Sequence, residues 1–195
     1  MTTTAPPIDR RHATDGRGWT LRPARGADAP ALARLFADVR AEGRWLAVPA
    51  DATSQPAEAF WIAEMIRAGE SLVLVAEAPG RIVGNLLLTP ERGVVSDHVA
   101  TLSICVADGW REVGIGSALV RAAQEWAREH GVAKVQLGVF PDNGRAIAVY
   151  ERAGFVPEGV RRRQYRSPSG GFRDELLMAW FADRAPQSAV EEGVP

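Results

Sequence analysis

Apolar positions along the chain change their spacing several times, and each change predicts a new element. Residues 19–24 (WTLRPA) read as a first strand. Asp28 then stands where it can cap a helix, with Pro30 in the first turn and Leu32, Leu35, Phe36 and Val39 on one face. Residues 42–55 (EGRWLAVPADATSQ) read as a loop, and 56–69 (PAEAFWIAEMIRAG) as a second helix closed by Gly69. The apolar runs of 71–89, split by Pro79-Gly80, predict a hairpin. Residues 98–106 (HVATLSICV) form a further strand, with Ala100, Leu102, Ile104 and Val106 on one face and Thr101, Ser103 and Cys105 on the other.

From Ser117 the period turns helical: Leu119, Ala123 and Trp126 align, and Gly131 stops the run. Val135, Leu137 and Val139 alternate in the strand KVQLGVF. Residues 142–154 make a short helix, with Asp142 or Asn143 as cap and Gly154 as stop. Two last strands, 155–165 and 172–181, flank the turn-rich RSPSGG. This order predicts an α/β fold with one mixed sheet of about seven strands, mostly antiparallel, and about four flanking helices. A single parallel pair would be joined by the helix over 116–130, whose start faces a crevice at the strand ends. Residues 18–182 are read as one domain between flexible tails at 1–17 and 183–195, both polar and aperiodic.

Composition narrows the class. A chain of 195 residues with 46% hydrophobic and 24% charged residues suits one globular domain, and no apolar run reaches the roughly 20 residues of a membrane span. The N-terminus lacks an apolar signal core, so a cytoplasmic location is expected. A net charge of −1 offers no long-range pull on nucleic acid or anionic lipid. The single Cys105 excludes an internal disulfide, and His12, His98 and His130 are too scattered to suggest a metal site. Arg161, Arg162, Arg163 and Arg166 alternate faces on a strand, so they make one anion-binding patch only if it is bulged, and otherwise a solvated edge. An exposed sheet edge near the C-terminal strands would permit a homodimer.

The chemistry centres on REVGIGSALV, residues 111–120. A Walker loop needs a lysine and a hydroxyl after its last glycine, but Ser117 and Ala118 follow Gly116. A dinucleotide fingerprint needs a small residue where Leu119 stands and an acid where Val139 ends the next strand. Two readings remain: tight packing of helix on strand, or a bare turn whose amides receive a diphosphate, with Arg111 leading it and the helix dipole adding favourable potential.

VADGWREVGIGSALVRAAQEWAREHG resembles the acetyl-CoA-binding motif of the GCN5-related N-acetyltransferase (GNAT) family, R/Q-x-x-G-x-G/A after a strand ending in an aliphatic residue. VFPDNGRAIAVYERAGFVPEG is similar to the family's next segment, with Asn, Ala, Tyr and Gly-Phe in order. The likeness covers Trp19 to Phe181 and is nearest the branch acting on small amines, amino acids and polyamines. Glu112 departs from the usual Gly after the arginine, and Asp108 from a frequent Pro.

The resemblance implies a GNAT-like fold with the parallel pair splayed, acetyl-CoA as co-substrate and no metal. It places coenzyme contacts at Ile104, Cys105 and Val106, at Arg111, Glu112, Val113, Gly114, Ile115, Gly116 and Ser117, and at Asn143, Ala146 and Tyr150. Pantetheine would lie like an added strand in the gap, and an N–H near Val106 would polarise the thioester oxygen. It implies acetyl transfer to a primary amine of a small molecule by direct attack in a ternary complex. The alternatives are a protein N-terminal or lysine acetyltransferase, and a non-catalytic acyl-CoA sensor. Tyr150 is the expected general acid, although a tyrosine on a helix's apolar face is commonly core. His98 is the candidate base because its ordinary pKa lies near 6.5. Ribosomal-protein acetyltransferases of the family use a glutamate on the next strand, where this chain has Gly138. Glu42, Arg44 and Trp45, in the loop after the first helix, are the expected acceptor-pocket residues. Cys105 as an acyl carrier is set aside, since no histidine motif accompanies it.

Overall fold

The expected sheet forms with one strand more than the hydrophobic pattern announces. The structure, a computed structural model, describes residues 9–46, 54–167 and 170–183. Its elements are β1 (Asp9–His12), β2 (Gly18–Pro23), α1 (Ala29–Ala41), α2 (Gln55–Ala68), β3 (Leu72–Ala78), β4 (Arg81–Pro90), β5 (Val99–Val106), α3 (Ile115–Glu129), β6 (Lys134–Val139), α4 (Gly144–Arg152), β7 (Val156–Arg166) and β8 (Phe172–Phe181). The sheet order is β1-β2-β3-β4-β5-β6-β8-β7. Every neighbouring pair is antiparallel except β5 and β6.

The additional strand lies inside the segment read as an N-terminal tail. Asp9–His12 carries no apolar alternation, yet its backbone pairs with β2 from Asp9↔Leu21 to His12↔Gly18. Ala13 behind it is buried. Residues 1–8 and 184–195 of the two expected tails lie outside the described residues, as do 47–53 of the first loop and 168–169 of the RSPSGG turn. Gly69 ends α2 in the left-handed conformation, as its position predicts. Asp28 precedes α1 but makes no side-chain cap there; its carboxylate takes the Arg22 guanidinium and the Arg25 amide instead.

The two faces of the sheet are covered by different helices. A Cβ on Gly84, the partner of Val106, would stand 3.0 Å from Ile115 of α3, so that face belongs to α3. Cys105, one position before Val106, points the other way, and α1 packs against β4 and β5. Between β5 and β6 the register holds only from Val99↔Lys134 to Thr101↔Gln136, and then the strands part. Burial along β5 records the parting. Ala100 and Leu102 are buried on the α3 face, but Ile104 and Val106 of the same face are only half-buried because they border the gap.

Candidate active site

The gap leaves main-chain groups without strand partners. The Ala107 N–H donates to Val83 O on β4, and Val99 O accepts from Glu91 on that same side. Alternate residues of a strand direct their amides to the same neighbour, so Ile104 and Val106 direct theirs away from β4, where β6 has already departed. These amides suit an extended chain laid into the gap.

The turn from β5 into α3 adds a second set of donors. Gly109, Glu112 and Gly114 all take positive φ, of 73°, 64° and 96°, which gathers successive N–H groups into a concavity. The first helical bond described for α3 is Ala118 N to Gly114 O, which leaves the amides of Ile115, Gly116 and Ser117 at the helix start. A Cβ at Gly114 would meet nothing within 4 Å, and one at Gly116 only Val149 at 4.0 Å. That bare surface suits a diphosphate approaching main chain. The side chains of Ile115 and Val113 face the core, so only their backbones belong to the turn.

Arg111 does not lead the turn as a free cation. Its Nε donates to Val106 O at 3.0 Å and its two terminal nitrogens to Glu42 at 2.6 and 2.7 Å. Glu42, at the end of α1, is thereby committed, and its carboxylate is neutralised rather than offered to an acceptor. The pair clamps the turn to β5 and α1. Thr14 N on Val113 O and the Arg17 guanidinium on Gly109 O and the Trp110 ring brace it from the N-terminal side.

Across the gap, Asn143 caps α4 by accepting from Ala146 N at 3.2 Å. Tyr150, two turns on, borders the same cleft and packs on Phe155. Removal from water pushes its phenol up to about 12, so it stays protonated at neutral pH. The Cys105 thiol is likewise pushed up to about 12, by burial first, which leaves it un-ionised and unsuited to attack.

A cleft of about 770 Å³ runs from this face through the gap to the other. On the α1 side it is bordered by Val39, Trp45, Leu46, Ser103, Gly138, Phe140, Tyr165 and Glu175. Trp45 stands in that wall. Arg44 does not; its side chain lies over the Trp45 ring and its carbonyl accepts from Arg173. His98 is a correction. It is exposed at the opening end of β5, beside Asp97, and its carbonyl accepts from Ala133 and Lys134. Six residues of strand, about 20 Å, separate it from Ile104 at the mouth of the gap.

The four arginines of β7 do not form an anion patch either. The strand is bulged between Arg161 and Tyr165, with Arg163 at φ 53°, but the four side chains are directed to different local partners. Arg161 pairs with Glu175, Arg162 with Asp174, and Arg163 and Arg166 lie over Phe172.

Glu175, Tyr165 and Phe140 are residues that sequence reasoning missed. One signal was present: Glu175 falls on the same alternation as Leu177 and Ala179, a charge at an inward position of a strand.

Among the described residues no group of three or more His, Cys, Asp or Glu could hold a metal ion, and no helix is long and apolar enough to cross a membrane. Residues 35–155 match the model of the acetyltransferase (GNAT) family. The chain is 31% identical over 163 residues to the L-amino acid N-acetyltransferase AaaT of Escherichia coli (strain K12), covering 82% of this chain and 95% of that protein. It is 35% identical over 86 residues, 44% of this chain and 57% of the other, to the ribosomal protein bS18-alanine N-acetyltransferase of the same organism. Among solved structures, an acetyltransferase of the GNAT family from Streptococcus pneumoniae superposes with a TM-score of 0.75 at 26% identity, covering 84% of this chain and 99% of that one.

Proposed function

The chain belongs to the acetyltransferase (GNAT) family and is an acetyl-CoA-dependent acyltransferase, and from that premise we propose that it acetylates the primary amine of a small molecule, an amino acid foremost, by direct attack in a ternary complex. The observation that carries the reading is the gap itself. Unpartnered amides at Ile104 and Val106, the bare start of α3 and the protonated Tyr150 all border one cleft, which continues to the opposite face of the sheet.

The residues present fit the coenzyme. Its diphosphate would meet the amides of 112–117, its pantetheine arm the free edge of β5, and its thioester oxygen the Val106 N–H. The acetyl donor and the amine would then arrive from opposite faces and meet at the gap. Direct attack is favoured because the one thiol in the cleft, Cys105, is held protonated. Tyr150 would donate to sulfur as negative charge develops there in the transition state.

An amino-acid acceptor is favoured by the likeness to AaaT over 82% of the chain, since the likeness to the ribosomal-protein enzyme spans only 44%. The test is thiol release from acetyl-CoA with a panel of amino acids, polyamines and a peptide bearing an N-terminal alanine. Turnover with free amino acids or small amines is the expected result. Turnover with the peptide alone would move the acceptor to protein N-termini, and none with any amine would leave a coenzyme-binding sensor.

A further inference from the structure

The coenzyme side of the cleft makes no use of Glu175, a carboxylate buried to 9% exposure on β8. The register Gly138↔Leu177 puts Glu175 on the face of Gly138, and Gln136, two residues before Gly138, bonds Thr101 on that face. It is the face opposite Ile104, Val106 and α3. Gly138 supplies the room: a Cβ there would collide with Oε1 of Glu175 and stand 2.6 Å from its Cδ. The strand that borders the gap therefore carries no side chain where the neighbouring strand delivers a carboxylate.

Two groups from β7 hold that carboxylate. The Tyr165 hydroxyl donates to Oε1 at 2.7 Å and Arg161 to Oε2 at 3.0 Å. They share a face by alternation, and the bulge between them, four steps of β7 against two of β8, brings Tyr165 opposite Arg173 and so within reach of Glu175. Each oxygen has then accepted one hydrogen bond and can accept another. The other charged group on this face of β8, Arg173, is turned to Asp142 and the Phe140 ring.

The reaction needs such a group. An alkylamine with a pKa near 10.4 is only about 0.04% neutral at pH 7, a handicap of roughly 4.6 kcal/mol. We infer that Glu175 receives the acceptor's ammonium group and takes its proton, as the general base of the cleft, with Arg161 and Tyr165 as positioning residues. The inference rests on the N-acetyltransferase reading above. Two protons leave the ammonium in all. Glu175 takes the first and passes it to solvent, and the freed lone pair forms the C–N bond at the thioester carbon. The C–S bond then breaks, Tyr150 protonates the departing sulfur, and the second nitrogen proton restores the phenol through solvent. The products are the amide, the free thiol and one proton.

The experiment compares Glu175→Gln with wild type using acetyl-CoA and three probes: L-methionine, L-phenylalanine and spermidine. The expected result is a fall in kcat/KM of about 10²-fold or more at pH 7, with acetyl-CoA binding by calorimetry unchanged. The deficit should shrink by up to about tenfold per pH unit until it closes or the probe's amine has shed its own proton, whereas a packing defect would lower the rate alike at every pH. A second variant, Glu175→Ala with Gly138→Glu, regrows the carboxylate from β6 into the vacated space and should recover at least tenfold over Glu175→Ala. If wild type turns over a probe and Glu175→Gln matches it throughout, or if the swapped variant binds acetyl-CoA yet recovers nothing, the assignment of Glu175 is wrong while the enzyme reading stands. No turnover by wild type with any probe would overturn the small-amine reading and this inference together.

Discussion

On the α3 side of the β5–β6 gap, the groups set to hold the coenzyme are chiefly main-chain, the amides of Ile104 and Val106 and the turn through Gly114 and Gly116, with Asn143, Arg145, Tyr150 and Arg152 at the border. On the α1 side the polar groups are side chains, Glu175 and Tyr165 beside Trp45, drawn from β8, β7 and the loop after α1. Amides presented by a strand edge and a helix start need only the right φ and the absence of Cβ, so one short stretch can encode them. A carboxylate aimed across a glycine needs two strands in register and a third that bulges. The first side suits a ligand shared by a whole family, and the second a ligand that varies among its members.

The sharpest way to break this contrast is to fill the main-chain side. Gly116→Trp should abolish acetyl-CoA binding, weakening it at least about a hundredfold or on the order of 3 kcal/mol. The fold should survive, because a Cβ there meets only Val149 at 4.0 Å. Calorimetry with circular dichroism as the folding control decides it; undiminished binding would move the diphosphate elsewhere.

The next largest effect lies on the chemistry. Tyr150→Phe should leave coenzyme affinity within about twofold and lower kcat by about 10²-fold. The sign of the pH dependence follows from the raised phenol, about 12 in place of 10. The acid form persists as pH rises and is lost only through the folded value, so wild-type activity should show no falling limb from this group between pH 8 and 10. A Tyr150→Phe variant that keeps the wild-type kcat, or a wild-type falling limb there that the variant retains, would place the acid elsewhere.

The same contrast explains what could be read from the chain. The strand, glycine turn, helix start and Asn-to-Tyr segment on the main-chain side are each contiguous, and their periodicity and glycine spacing survive in one dimension. The acceptor side does not survive that reduction. Glu175 and Gly138 meet only because the sheet runs β6-β8-β7, placing the last strand beside β6. Glu42 looked available in its loop, yet it pairs with Arg111, sixty-nine positions away. His98 is singled out by residue type alone, which is blind to which end of β5 the gap opens. β1 escaped notice because an edge strand held by backbone pairing needs no apolar alternation.

The smallest expected effect tests whether the turn is tuned or merely tolerated. Glu112 holds φ 64°, a conformation that costs a residue with Cβ roughly 1–2 kcal/mol and glycine almost nothing. Glycine gives back part of the difference through the greater freedom of its unfolded chain, about 0.5–1 kcal/mol. Glu112 also contributes a contact with Arg145 at 3.3 Å, but both side chains are about half-exposed or more, and such pairs are worth little. Glu112→Gly should therefore raise stability by about 0.5 kcal/mol, a shift of only about 1–2 °C in Tm for a domain of this size. Its carboxylate also borders the concavity into which an anionic diphosphate would settle, so removing it should tighten acetyl-CoA binding a few-fold at low salt, an advantage that fades as ionic strength rises. A higher Tm with weaker binding would mean that the glutamate serves the ligand through its side chain, and the division between a main-chain face and a side-chain face would fail at that residue.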